Sequence, residues 1–498
     1  MHPVGASPML RALVLLALGL LASGCGPRLE CGGKCVDVPY TRPHPGDADS
    51  VFIDQANLLL ARREWTAARE LAMAKLARAP NHVGARVVLA AVAWATGDVG
   101  ESNRLLREVG TIDAADFGAS LMLARNLQAQ GRYAESLAVL EPIASSDADQ
   151  LELQILQLAA HFATLDAEQG QTIAAALLAS PPWEDHLGYV AALGRAEFLR
   201  ALASEPSLVE ITGTRADLEL ELHPPSGGVR SFAVIGGERR PVLISFNHSE
   251  AWIDAELAAS LGLAELGQVQ LAGREPRALA LLPELALDGL RLSRVPVMVE
   301  DLESWALGDP AHEVDLVLGW QVLARFGAIV VDLPQQRLSL EVAAPIGPPT
   351  GAVERPLLLL DPWYLRVPVT PIAIDGSQRE FWAWLGFVGV GALTIEQAPY
   401  LAAGHTLAEF AGIDEIETGR EMVYVDEVAL GSVRVGGVGA IVHLDQPGEP
   451  WLTSAETLSG FPIDGSINAG LLEQLRITWL PSRSAIWIEL SDRNRWLP

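Results

Sequence analysis

The chain has 498 residues, with 62 acidic against 35 basic side chains and a formal net charge of −27. That length accommodates roughly two to four domains. The charge argues against nucleic acid as a partner, because such binding rests on neutralising phosphates. Hydrophobic residues make up 50% of the chain. No stretch supplies the about 20 consecutive apolar residues of a membrane span, so that content belongs to packed cores.

Residues 1–24 read as a signal peptide. Arg11 precedes an apolar run, ALVLLALGLL at 12–21. The run is too short to span a bilayer and has the length of a signal core. Its ending, Ala22-Ser23-Gly24-Cys25, resembles a bacterial lipobox, with Ala22 where leucine is usual. The resemblance implies cleavage before Cys25 and a lipid on that cysteine. Gly26 carries no inner-membrane retention signal, so the expected address is the outer membrane, on its periplasmic or surface face. An ordinary secretory signal that contains a cysteine is the alternative.

Residues 25–50 form a linker rich in Pro, Gly and Asp, a composition without a core. Its Cys31 and Cys35, in CGGKC, can close a small disulfide in an oxidising compartment or remain free thiols. Two thiolates without a nearby histidine are too few for a metal site. No metal or cofactor is expected.

Residues 51–205 are Ala/Leu-rich and helical. Trp65, Val99 and Tyr133 recur every 34 residues, as do Ala68, Ser102 and Ser136, and Ala72, Leu106 and Leu140. This period resembles tetratricopeptide repeats, with turns near 63, 97 and 131. Trp65 and Tyr133 are expected to be buried between helices. Such arrays offer a surface to peptides or proteins. A generic helical bundle is the alternative.

From residue 207 the texture changes to short Val/Ile/Leu runs broken by Gly and Pro, the mark of strands. Residues 284–300 (ELALDGLRLSRVPVMVE) and 427–443 (EVALGSVRVGGVGAIVH) align without gaps at an offset of 143, with six identities. DLVLGWQVLARFGAIVVDLPQQRLSLE (315–341) and DGSINAGLLEQLRITWLPSRSAIWIEL (464–490) form a second pair. Both copies resemble the bacterial retropepsin-like aspartic protease half, as lobes at 207–345 and 350–492. The expected architecture is multidomain, α then β: a tetratricopeptide-like helical array plus two tandem retropepsin-like β-barrel lobes.

In that family each half contributes one Asp-Thr-Gly turn. Counting back from Leu261-Gly262-Leu263 puts Ser245-Phe246-Asn247 at the first turn. Aligning Gly376 on Gly237 puts Trp384-Leu385-Gly386 at the second. Neither aspartate position then carries a carboxylate, and proteolysis of this kind needs two. Misalignment is the alternative, although the chain contains no Asp-Thr-Gly or Asp-Ser-Gly. The resemblance implies a pseudoenzyme whose inter-lobe cleft, around Ser245, Asn247, His248, Trp384 and Gly386, takes an extended peptide or an envelope protein by strand-like pairing. The alternative is a hydrolase with altered chemistry in that cleft, using Ser245 and His248. Gly-x-Ser-x-Gly and His-Glu-x-x-His are both absent.

Overall fold

A computed structural model of the chain describes residues 50–491, apart from 114–115, 144–146, 180–186, 206, 224–227, 271–274, 304–312, 362–365, 378–379, 387–391, 403, 406–419 and 444–458. Residues 1–49, on which the signal-peptide reading and nearly all of the linker reading fall, with Cys25, Cys31 and Cys35, lie outside the described residues.

The first part is a helical array: α1 (Ser50–Ala61), α2 (Trp65–Arg78), α3 (Val83–Ala95), α4 (Val99–Ile112), α5 (Phe117–Ala129), α6 (Tyr133–Leu140), α7 (Asp147–Thr164), α8 (Ala167–Ala179) and α9 (Leu187–Leu202). Its turns repeat with the sequence. Arg63, Gly97 and Gly131 all have positive φ, at 58°, 81° and 68°. Each left-handed residue reverses the chain and starts the next helix. The small residues of the repeat pack at helix crossings, and Ala68, Ser102 and Ser136 are fully buried. Asp98 and Asp116 cap their helices by accepting the amides of Glu101 and Ala119. Trp65 and Tyr133 are only half-buried, contrary to expectation. Both sit at the first position of a helix, at the rim of the array rather than in its crossings.

Two six-stranded barrels follow. In lobe 1 the ring runs β9 (Leu290–Glu300), β6 (Ala251–Asp254), β10 (Leu316–Leu318), β5 (Glu238–Ile244), β4 (Gly228–Ile235) and β8 (Arg277–Leu287), and closes between β8 and β9. Strands β1 (Glu210–Thr212), β3 (Glu221–His223) and β7 (Glu265–Val269) extend it. In lobe 2 the same ring is β19 (Val433–His443), β17 (Leu393–Glu396), β20 (Gly465–Ile467), β16 (Phe381–Leu385), β15 (Val367–Ile374) and β18 (Arg420–Leu430). Its closure is β15 with β18, and β14 (Leu358–Leu360) extends it. Both rings make the same two parallel contacts, β5–β10 with β6–β9 and β16–β20 with β17–β19.

A third sheet joins the lobes. Its order is β13 (Val353–Pro356), β22 (Ala485–Leu490), β21 (Leu475–Leu480), β11 (Ala328–Asp332), β12 (Arg337–Glu341) and β2 (Arg215–Glu219). Each lobe gives three strands, and the pseudo-two-fold axis passes between β11 and β21, which pair antiparallel from Ile329 opposite Trp479 to Asp332 opposite Arg476. Two barrels related across a shared sheet, after a helical array, make an aspartic-protease-like fold.

The array does not stand apart from the lobes. Helices α3, α4 and α5 share a buried cluster with Leu358, Val367, Trp382, Trp384 and Phe461 of lobe 2. Phe461 stands edge-on to Trp94 and to Trp382, at 4.8 and 4.9 Å. At Gly97 the chain has φ of 81°, and a Cβ there would run into the Trp382 indole. Helices α7 to α9 contribute Phe162, Phe198 and Leu202 to the large core that runs through both lobes. Part of the surface such an array could offer a partner is therefore filled by the chain's own second lobe.

Candidate functional site

The site lies where β5 and β16 end. Short helices follow the strands beside them, α11 (Trp320–Leu323) after β10 and α13 (Ala469–Leu472) after β20. Gly319 and Asn468 are the residues just before these helices, so they occupy equivalent places. Ile244 pairs with Leu318, and Leu385 pairs with Ile467. The residues after the two strand ends are thus each other's counterparts, Ser245 in lobe 1 and Gly386 in lobe 2, at the place where the expected Asp-Thr-Gly turn would begin.

This corrects the alignment that put Trp384 opposite Ser245. Arg230 pairs with Leu243 and Val369 with Trp384, so Trp384 is the counterpart of Leu243, inside the strand. The physical cause is turn length. β4 and β5 are joined by Gly236-Gly237, whereas β15 and β16 are joined by residues 375–380. The longer hairpin shifts the returning strand by two residues relative to an alignment anchored on its turn glycine. The absence of carboxylates is unaffected, because Gly386 has no side chain at all. Residues 387–391, the rest of the second turn, lie outside the described residues.

The lobe 1 turn is enclosed. Ser245, Asn247 and Ser249 are 2%, 6% and 0% exposed. Beneath it, Phe246 stacks on Trp479 of β21 at 4.1 Å, with Trp320 edge-on to Trp479 at 6.2 Å. Such pairs add about 0.5–1.5 kcal/mol each beyond their burial. They tie the turn to the shared sheet. Backbone packing leaves no room behind the turn, and a Cβ on Gly319 would collide with the Glu250 carbonyl.

Lobe 2 reaches across to this turn. The Trp384 indole N–H donates to Asn247 Oδ1 at 3.3 Å. The Arg366 amide donates to the Asn247 carbonyl at 3.0 Å. The Arg366 side chain, 1% exposed, donates from Nε to Ser249 Oγ and from Nη1 to the Tyr133 hydroxyl, both at 3.2 Å. One buried guanidinium therefore joins lobe 2, the lobe 1 turn and the array. Reasoning from sequence passed over Arg366, although an arginine at the head of the apolar run VPVTPIAI is a detectable anomaly.

Ser245 and His248 come together, with Oγ 2.7 Å from Nδ1. Two residues of one turn thus do point at each other here. The neighbouring Glu250 retains a little accessible surface, but its carboxyl is enclosed among Arg195 of α9, Asp361 and Arg366. Burial pushes it up to about 7, against the pull of Arg195 and Arg366 and with a push from Asp361. Arg195 bonds Asp361 at 2.9 Å and lies over the Phe162 ring. No cluster of metal-ligating side chains occurs among the described residues.

No protein-family model and no curated protein matches the chain. Among solved structures it is similar to basic 7S globulin from soybean, at 12% identity over 56% of this chain and 96% of that one, with a TM-score of 0.38. It is similar to conglutin gamma from lupine seeds, at 10% identity over 56% and 95%, with a TM-score of 0.37. A retropepsin-like aspartic protease from Rickettsia conorii matches at 16% identity over 27% of this chain and 94% of its own, with a TM-score of 0.19.

Glu250 gives a stability prediction. Its carboxyl titrates at about 7 in the folded chain against an ordinary value of 4.5. Between these values the unfolded chain ionises first, so stability falls as pH rises and levels off above about 7. Glu250→Gln should be more stable than the parent at pH 8 by about 1–3 kcal/mol and equal to it at pH 4. Urea midpoints at the two pH values check this.

Proposed function

We propose that the chain is a non-catalytic protein- or peptide-binding module built on a pseudo-aspartic-protease scaffold and held at the bacterial cell envelope by a lipid on Cys25. The observation that carries the first part is the chemistry of the two turns. Aspartic proteolysis shares one proton between two carboxylates. One activates water and the other protonates the substrate carbonyl. Ser245 and Gly386 supply neither group.

The helical array, read as tetratricopeptide-like, supports a role in recognising polypeptide. The ligand of the cleft bordered by Ser245, Asn247, His248, Trp384 and Gly386 would be an extended segment of an envelope protein, paired strand to strand. The net charge of −27 disfavours nucleic acid. The lipobox-like Ala22-Ser23-Gly24-Cys25 supports the anchor and an outer-membrane address.

The Ser245–His248 contact favours a second reading, a hydrolase with a serine nucleophile. Against it, Ser245 is 2% exposed, and a nucleophile must meet its substrate.

Purified full chain incubated with unfolded casein from pH 3 to pH 8 should release no peptides, and a fluorophosphonate probe should leave Ser245 unlabelled. Pepstatin-sensitive cleavage would restore proteolysis, and labelling lost in Ser245→Ala would establish the second reading. The anchor is tested separately. Cys25→Ser should move the protein from the membrane to the soluble fraction, because stable anchoring takes two acyl chains or a second signal. Retention of that variant on membranes would remove the lipid from the account.

A further inference from the structure

The two lobes present equivalent hairpins, β8–β9 and β18–β19, whose outer faces are covered differently. In lobe 1, Gly267 of β7 pairs with Leu279 of β8, which pairs with Met298 of β9. Residues directly opposite one another on antiparallel strands share a face, so these three form one row. Helix α9 lies on that face. A Cβ on Gly267 would come within 3.1 Å of Ala201, and one on Gly194 would collide with the Gln270 carbonyl oxygen. Under this cover Leu279 and Met298 are both 0% exposed. The helix is fixed there, because Phe198, Leu199 and Leu202 belong to the core it shares with the barrel.

Lobe 2 repeats the row, without an equivalent of α9 among the described residues. Met422 pairs with Ile441 and Tyr424 with Gly439, the 143-residue equivalents of Leu279 with Met298 and Leu281 with Pro296. Even the local irregularity is shared. Arg294 and its equivalent Gly437 both have positive φ, at 56° and 67°. Yet Met422 and Tyr424 are 44% and 66% exposed. Clustered exposed apolar side chains mark interaction surfaces, whereas single ones do not. The glycines are a second observation. Gly437 and Gly439 leave one strand of this face without side chains, and a Cβ on Gly439 would meet nothing within 4 Å. Glycine inside a strand marks a place where another backbone approaches closely.

The two faces also differ in charge at one end. In lobe 1, Arg294 donates to Glu205 and to the Ser207 carbonyl, both just beyond α9. In lobe 2 its equivalent is Gly437, and the equivalent of Pro283 is the exposed Asp426. A cation that meets an acid beyond the helix is thus replaced by an acid. We propose that the outer face of β18–β19 docks an amphipathic helix of another protein. That helix packs small and apolar residues over Met422, Tyr424 and Gly439 and sets a lysine or arginine against Asp426. The chain's net charge of −27 favours the same cationic partner over an anionic membrane or a second, equally acidic copy. The inference does not depend on what the inter-lobe cleft takes.

The test uses the full chain and a stapled, fluorescein-labelled helix with the sequence of residues 187–202 followed by two lysines, since α9 fits the equivalent face of lobe 1. Anisotropy should saturate with a Kd of about 10–100 μM. Gly439→Glu should weaken binding at least about tenfold, because its side chain enters the open space, and Tyr424→Ala serves if that variant does not fold. Asp426→Lys should weaken binding about threefold or more. No binding, or equal binding by the parent and Gly439→Glu, overturns the proposal. Peroxide should oxidise Met422 of the dilute chain at a rate close to that of Met73, which is 58% exposed, and should spare Met298. Protection of Met422 that persists on dilution means that the chain covers this face itself. Protection lost on dilution means that a second copy covers it. Weaker binding of Gly439→Glu than of the parent to vesicles of phosphatidylethanolamine and phosphatidylglycerol assigns the face to a membrane. Each of these three results overturns the proposal.

Discussion

A single buried cation holds the arrangement together. Arg366 lies 1% exposed, between the head of β15, the lobe 1 turn and Tyr133. A guanidinium out of water is tolerated only when its donors are satisfied and its charge is compensated. Ser249 Oγ and the Tyr133 hydroxyl take two of its donors, and the carboxyl of Glu250 is close enough to feel its charge. Removing Ser249 Oγ or the Tyr133 hydroxyl leaves a buried guanidinium donor without that partner, at about 1–3 kcal/mol. The array, the turn and the second lobe therefore stand or fall together, although they are distant in sequence.

That interdependence extends to the place where the cleft of an aspartic-protease-like fold would lie. A working cleft needs room for water and substrate between two turns. Here the Trp384 indole spans from lobe 2 to Asn247, aromatic stacking fixes Phe246 from below, and helices close the sides. Restoring aspartates at 245 and 386 would place carboxyls in an enclosed space, where desolvation keeps them neutral. Among the described residues, the lobe 1 turn is a packed joint between the array and the two lobes.

Much of the fold was legible in the sequence, because its strongest signals are local and repeated. The 143-residue offset between hairpins reappears as β8–β9 and β18–β19, each of 11-residue strands with matching register. The 34-residue period reappears as left-handed turns at 63, 97 and 131. Leu261-Gly262-Leu263, a short, fixed distance away, is what put Ser245 at the end of β5. The second turn was missed by two residues, because a hairpin loop can lengthen without changing the strands it joins. Strand pairing, which sequence does not display, was needed to reach Gly386. The closure of the cleft was illegible for another reason. Arg195 meets Asp361, and Tyr133 meets Arg366, across separations that no periodicity marks.

Array and lobes form one cooperative body, packed through shared clusters. Ten of the thirteen tryptophans lie after residue 207, so their fluorescence reports chiefly on the lobes. Helical circular dichroism reports chiefly on the array. The direct test is urea unfolding of the full chain followed by both signals. One coincident transition is expected, since loss of the array exposes the lobes' own core. Helix loss at lower urea, with fluorescence unmoved, would contradict it.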